Sequence, residues 1–128
     1  MRPLDLTWVG GEHSFALGLG NLRAVQQHCD AGPNEIYMRL TDGRWRIDDL
    51  FEVLRQGLIG GGMDNSAASK LITDMMSRHP LLEFTTTARA VLAAALVGPE
   101  DDKVGKPEGA ETTPPENGDS QRSTETEP

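Results

Sequence analysis

Apolar and polar residues alternate at the start of the chain in the pattern of half-buried β-strands. The alternation runs through Leu4–Trp8 and resumes in Glu12–Leu17, with Gly10 and Gly11 between the two stretches. A glycine pair suits a two-residue turn, because both positions can adopt a positive φ. The pattern therefore predicts a β-hairpin with one apolar face, formed by Leu4, Leu6, Trp8, Phe15 and Leu17.

A turn at the glycine pair also sets an expected register. It places Leu6 opposite Phe15 and Leu4 opposite Leu17, and opposed residues share a face of the sheet. A lone hairpin is only marginally stable in water. We therefore expect its apolar face to pack on helices.

Gly18–Asn21 breaks the strand pattern, and from Leu19 onward the apolar residues recur at helical spacing, first as Leu19, Leu22, Val25 and Cys29. Asp42-Gly43 predicts a turn, and Trp45 with Ile47 predicts an extended connector before the third helix. The pattern predicts five helices, at about Leu19–Cys29, Asn34–Leu40, Asp49–Ile59, Asp64–Arg78 and Pro80–Val97.

Several residue types mark the ends of these helices. Asp49 and Glu52 have the spacing of a capping box at the start of the third helix. Either Asp64 or Ser66 caps the fourth helix. Pro80 ends that helix at the preceding residue and suits the first position of the last one.

Composition divides the chain near Gly98. The segment 99–128 is acidic and rich in Pro, Gly, Ser and Thr, with Val104 as its only large apolar residue. Such a segment buries too little apolar surface to offset the entropy of ordering. We expect a mainly α (α+β) domain over residues 1–98, with an N-terminal hairpin on about five helices, and a disordered acidic tail over 99–128.

Charge follows the same division. Nine basic and eleven acidic residues up to Gly98 give a net charge of −2, while three and nine in the tail give −6, together the −8 of the chain. Nucleic-acid domains carry a basic face, so the sequence argues against DNA or RNA as the ligand. The tail is interpreted as a solubilising overhang, with an interaction segment as the alternative.

Candidate chemistry is sparse. The single cysteine, Cys29, excludes an internal disulfide and is interpreted as a buried structural thiol. His13, His28 and His79 lack the spacing of a metal site. We expect no catalytic residue, metal or cofactor. No apolar stretch approaches membrane-spanning length, and residues 1–5 do not form the apolar segment of a secretory signal, so we expect no such signal, a cytoplasmic location and no membrane partner.

Three consecutive glycines are the most unusual local feature. One glycine suffices to end a helix, so three indicate close backbone approach or a hinge. Methionine follows them, and methionine adapts to varied partner surfaces. We therefore predict a partner-binding surface at this turn, comprising Trp45, Leu58, Ile59, Gly60, Gly61, Gly62 and Met63.

Several motifs, in order, resemble a known family. They include Phe15–Arg23, Gly43-Arg44-Trp45, Asp48-Asp49-Leu50, and above all Arg55–Met63, followed by His79-Pro80-Leu81 and Ala93–Gly98. Together they span about Leu6–Gly98. The chain resembles the tail assembly chaperone family of gene transfer agents and related prophages, also labelled a tail tube protein.

The resemblance implies a non-enzymatic assembly factor. Such chaperones coat the tape-measure protein in the bacterial host cytoplasm until tube subunits polymerise around it. The partners implied are the tape-measure protein, other tail proteins and further copies of the chain. The alternative function is a structural tail tube component. A small enzyme or regulator is the third hypothesis. A helix-turn-helix regulator is disfavoured because the helix after Asp64 offers only Lys70 and Arg78 as basic residues.

Overall fold

The computed structural model describes residues 2–98 of the chain. These residues confirm the mainly α class with an N-terminal hairpin and five α-helices. The acidic segment 99–128 lies outside the described residues, so its expected disorder and the domain boundary stay predictions. In chain order the elements are β1 (Leu4–Trp8), β2 (Gly11–Phe15), α1 (Leu19–Cys29), α2 (Pro33–Asp42), α3 (Ile47–Gly60), α4 (Asn65–Arg78), a 3-10 helix (Leu81–Phe84) and α5 (Thr85–Val97).

The hairpin forms with a register different from the expected one. Leu4 lies opposite Phe15 and Leu6 lies opposite His13. The predicted pairing of Leu6 with Phe15 is therefore wrong by two residues. A shift of two leaves every side chain on its original face. The predicted apolar face is accordingly confirmed, with Phe15 buried and Leu4 and Leu6 half-buried.

The turn lies one residue earlier than the glycine pair, at Val9 and Gly10. A Cβ on Gly10 would lie 2.5 Å from Cζ2 of Trp8, so the indole packs directly over this glycine. The Trp8 Nε1–H donates a hydrogen bond to Nδ1 of His13 at 2.8 Å. These contacts tie the tryptophan to the turn and explain why β2 begins at Gly11, whose φ is +114°.

Helix α3 occupies the centre of the domain. It contacts α1, α4, α5 and β2, so more than half of its residues are buried. Strand β2 packs on α3 while β1 packs on α5, and α2 packs on α5 and α1. The largest fully buried side chains include Phe15, Leu17, Ile36, Leu50, Leu54, Leu58, Ile72, Phe84 and Leu92.

The start of α3 corrects the predicted capping box. The helix begins at Ile47, two residues before the expected cap, and Arg46 is its N-cap residue. The Asp49 carboxylate accepts the backbone N–H of Arg46 at 2.8 Å. Asp49 therefore stabilises the helix start from inside the first turn. In α1, Leu19 was expected on the apolar stripe, but its side chain is 67% exposed.

The remaining helix ends mostly follow the sequence. The Asp64 carboxylate accepts the N–H groups of Ser66 and Ala67, which identifies Asp64 as the cap of α4. Helix α4 ends before Pro80, as predicted. Pro80 does not begin α5, because a 3-10 helix intervenes. The tighter 3-10 turn aligns residues three apart, which lets Phe84 reach the core.

Candidate interaction surfaces

The glycine turn at the end of α3, Gly60–Gly62, lies in close contact with the backbone of β2 and the residue that follows it. A Cβ on Gly60 would lie 1.8 Å from the carbonyl oxygen of Ala16, and one on Gly61 would lie 2.0 Å from that of Ser14. The Ala16 N–H donates to the Gly57 carbonyl at 2.9 Å. Close backbone approach, one of the two readings of the glycine run, therefore accounts for Gly60 and Gly61. Gly62 adopts a φ of +114°, which favours glycine for conformational reasons.

The structure gives the residues of the predicted partner-binding surface different surroundings. Leu58 is 1% exposed and belongs to the core. Ile59 and Met63 are half-buried at the glycine turn, and Gly62 is exposed. Gly60 is exposed and Gly61 is half-buried, so the accessible part of the predicted surface at this turn comprises Ile59, Gly60, Gly61, Gly62 and Met63.

Trp45 lies apart from this turn. It is half-buried in the connector before α3, while the glycine run begins at Gly60, the last residue of that helix. Fourteen helical residues rise about 21 Å. The helix therefore separates Trp45 from the glycine turn, and the structure does not bring the two together.

Buried polar residues on α3 were not anticipated from the sequence. Asp49 is fully buried, and its carboxylate lies 3.2 Å from the Arg39 guanidinium of α2. On the next turn, Glu52 pairs with Arg55 at 2.8 Å, and Arg55 also donates to Asn65 at the start of α4. These pairs join α3 to its neighbours along its length. They compensate one another's charges and leave no carboxylate aimed into a cavity, so we interpret them as structural.

Cys29 is not placed for nucleophilic chemistry. Burial, followed by the nearby Asp49 carboxylate, raises the pKa of the Cys29 thiol to about 12. Its Sγ–H donates to the carbonyl oxygen of Asp48 at 3.4 Å. A thiol with this pKa stays protonated at neutral pH and is a poor nucleophile. Within residues 2–98, no group of three or more His, Cys, Asp or Glu side chains converges as a metal site would require.

An apolar groove runs between β1 and the last turns of α5. Its volume is about 330 Å³. No lining residue carries a charged side chain, and Val97 at its end is 85% exposed. The groove is lined by Leu4, Leu6, Ala90, Ala93, Ala94, Val97 and Gly98. Uncharged, partly exposed apolar surface of this kind is typical of sites that bind another protein segment.

Strand β1 has an open edge beside this groove. The Ser14 carbonyl points toward Gly61 of the glycine turn, hence away from β1. Asp5 lies opposite Ser14. In an antiparallel ladder, hydrogen-bonded pairs alternate with non-hydrogen-bonded pairs, and the N–H and C=O groups of a non-hydrogen-bonded pair point away from the partner strand. Asp5–Ser14 is therefore a non-hydrogen-bonded pair, and so is Thr7–Glu12, two residues along. The N–H and C=O groups of Asp5 and Thr7 therefore point away from β2, and no described residue bonds to them.

Comparisons with known proteins identify the family. No curated protein and no solved structure matches the chain. Within residues 2–98, no helix is long and apolar enough to cross a membrane. A family model described as "Phage tail tube protein, GTA-gp10" matches residues 3–98, which is nearly the whole described domain. The chain belongs to this tail-related family of phages and gene transfer agents.

Proposed function

We propose that the protein is a structural, non-enzymatic component of the tail tube of a gene transfer agent or related phage. The observation that carries the proposal is the family match over residues 3–98, because it spans the hairpin and all five helices. The groove beside β1 and the open strand edge supply surface for neighbouring subunits. The proposed partners are further copies of the chain and other tail proteins.

Two observations support a non-enzymatic role. The single thiol is buried and protonated. The buried carboxylate of Asp49 is held by Arg39, and that of Glu52 is held by Arg55. An acidic chain with a net charge of −8 also disfavours nucleic acid as the direct ligand.

Quantitative mass spectrometry of purified particles tests this function. A tube component is retained in every particle, so we expect peptides from residues 2–98 in a fixed ratio to the other tail proteins. The ratio should persist through density-gradient purification. Loss of the protein from particles that still carry full-length tails would contradict the tube function.

A tail assembly chaperone remains the second candidate, and one observation favours it. The described domain has a single two-stranded sheet, whereas a tube wall built from sheets needs more strands per subunit or strands shared between subunits. As a chaperone, the protein would cover apolar segments of the tape-measure protein in the host cytoplasm during assembly. The accessible part of the predicted surface, formed by Ile59, Gly60, Gly61, Gly62 and Met63, is the proposed contact.

Co-expression with the tape-measure protein separates this candidate from the first. Met63→Asp introduces a charge at the proposed contact and should reduce recovery of the tape-measure protein at least several-fold. Met76→Asp is the matched control, because Met76 on α4 is half-buried and packs against the core, as Met63 does. Equal recovery with both variants would remove the glycine turn as the tape-measure site.

A further inference from the structure

We propose that β1 is the edge through which two copies of this chain pair, forming a continuous four-stranded antiparallel sheet over both α5 helices. The inference rests on the proposed function only for the expectation that copies assemble. Its evidence is the open strand edge, the groove beside it and the residue pattern of β1.

The edge and the groove together select an extended strand as the occupant. Outward N–H and C=O groups at Asp5 and Thr7 require backbone partners spaced as in a β-strand. A strand added there lies about 4.8 Å from β1. Every second side chain of that strand would then point toward α5, into the groove that Ala90, Ala93 and Val97 line. A helix in the groove would leave the strand edge unpaired.

The sequence of β1 suits pairing with β1 of a second copy. In a two-fold pairing centred on Leu6, the Leu6 side chains of the two copies meet across the axis. Leu4 then lies opposite Trp8 of the second copy, and Asp5 lies opposite Thr7. Apolar residues thus face apolar residues, and no carboxylate faces another carboxylate, which would destabilise the pair.

Charge and residue size favour a second copy of this chain as the partner at the edge of β1 and in the groove beside it. Two copies carry like net charges, −2 in residues 1–98 and −6 in 99–128 of each, and so repel each other overall. The groove adds nothing to this repulsion, because none of its lining residues is charged. Ala90, Ala93 and Ala94 are small, so the two α5 helices can approach beneath the joined sheets and fill both grooves. Such an interface is isologous, as in most closed dimers.

Sedimentation of the purified full-length protein over a range of concentrations tests the edge. Thr7→Pro removes an outward N–H without removing a hairpin hydrogen bond, so we expect the dimer to dissociate at least ten-fold more readily. Thr7→Val keeps the N–H and should associate as the wild type does. Circular dichroism checks that each variant retains the helical domain. A wild type that stays monomeric throughout, or a Thr7→Pro variant that dimerises equally well, would overturn the proposal.

Disulfide trapping tests the register. With Leu6→Cys, two thiols face each other across the axis at a Cα separation of about 4.5 Å, within reach of a disulfide. With Leu4→Cys, the two thiols are four residues out of register, about 13 Å apart along the strands. Leu4 and Leu6 are both half-buried and both line the groove, so the variants are matched.

On addition of diamide, which accepts the two thiol hydrogens, Leu6→Cys should form a covalent dimer and Leu4→Cys should not. Cys29 is buried with a raised pKa and should not compete. Equal trapping of both variants, or trapping of neither, would contradict the proposed pairing. These results are independent of the particle composition that tests the tube function, so either proposal can fail without the other.

Discussion

Gly60 and Gly61 determine how closely α3 approaches the hairpin. The two carbonyl oxygens that face them belong to backbone and cannot rotate away as a side chain would. Gly60→Ala should therefore lower the free energy of unfolding by about 3 kcal/mol or more. The measurement is urea denaturation followed by circular dichroism.

Gly20→Ala is the control for that substitution. Gly20 is exposed in α1, and a Cβ there would meet no atom within 4 Å. We expect it to raise stability by about 0.5–1 kcal/mol, because alanine loses less conformational entropy in a helix. Equal stability of the two variants would show that α3 and the hairpin are not in backbone contact.

Cys29 gives a prediction about pH. Burial raises its pKa from 9.0 to about 12, so the folded state retains the proton to higher pH than the unfolded state does. The associated stabilisation is fully present below pH 9 and is lost as the pH rises from 9 toward 12. The stability advantage of wild type over Cys29→Ala should shrink across that window in denaturation curves. An advantage that is constant from pH 8 to 11 would contradict a buried, protonated thiol.

One buried ion pair joins α2 to the first turn of α3. Arg39 and Asp49 are 9% and 0% exposed at their side chains, and Asp49 also accepts the Arg46 N–H. Asp49→Asn leaves the guanidinium with only the Glu35 carboxylate at 3.4 Å. We expect the free energy of unfolding to fall by about 3 kcal/mol, because removal of one partner leaves a buried charge uncompensated. The denaturation midpoint gives the measurement.

Asp74→Asn is the comparison for this ion pair. Asp74 bonds Arg78 at 2.8 Å on the exposed side of α4, where solvent screens the interaction. The denaturation midpoint of the Asp74→Asn variant should therefore stay close to that of the wild type. If both substitutions lowered the midpoint equally, the buried pair would have no special role.

The elements themselves were largely predictable, because periodicity and cap residues are local signals. Helix α1 and the Asp64 cap of α4 follow directly from such signals. The hairpin register was not predictable, since it depends on the Trp8 indole over Gly10 and on the contact of β2 with the glycine turn. The burial of Asp49 was not predictable either, because its partner Arg39 lies on another helix. Both the hairpin register and this burial depend on contacts between segments that are distant in the sequence.

The surroundings of the predicted partner-binding residues were less predictable than the elements. The glycine run was predicted to mark close backbone approach or a hinge, but the sequence could not tell that the backbone it approaches is the hairpin of the same chain. The groove beside β1 was missed because its lining comes from Leu4 and Leu6 at one end and Ala90–Gly98 at the other. An alternating strand and an alanine-rich last helix were both visible in the sequence, but not their adjacency.

The domain as a whole should fold without the acidic segment. Every buried apolar residue of the described chain lies between Trp8 and Ala94. A chain that ends at Gly98 should therefore keep the helical circular dichroism spectrum and the denaturation midpoint of the full-length protein. A fall in the midpoint of the truncated chain would show that residues beyond Gly98 stabilise the domain.

Cryo-electron microscopy of intact tails tests the central claim most directly, which is that this helical domain is a repeating unit of the tail tube. The account predicts repeating density that fits the hairpin and all five helices. A tube wall fully explained by other subunits, with no helical density of this size, would contradict it.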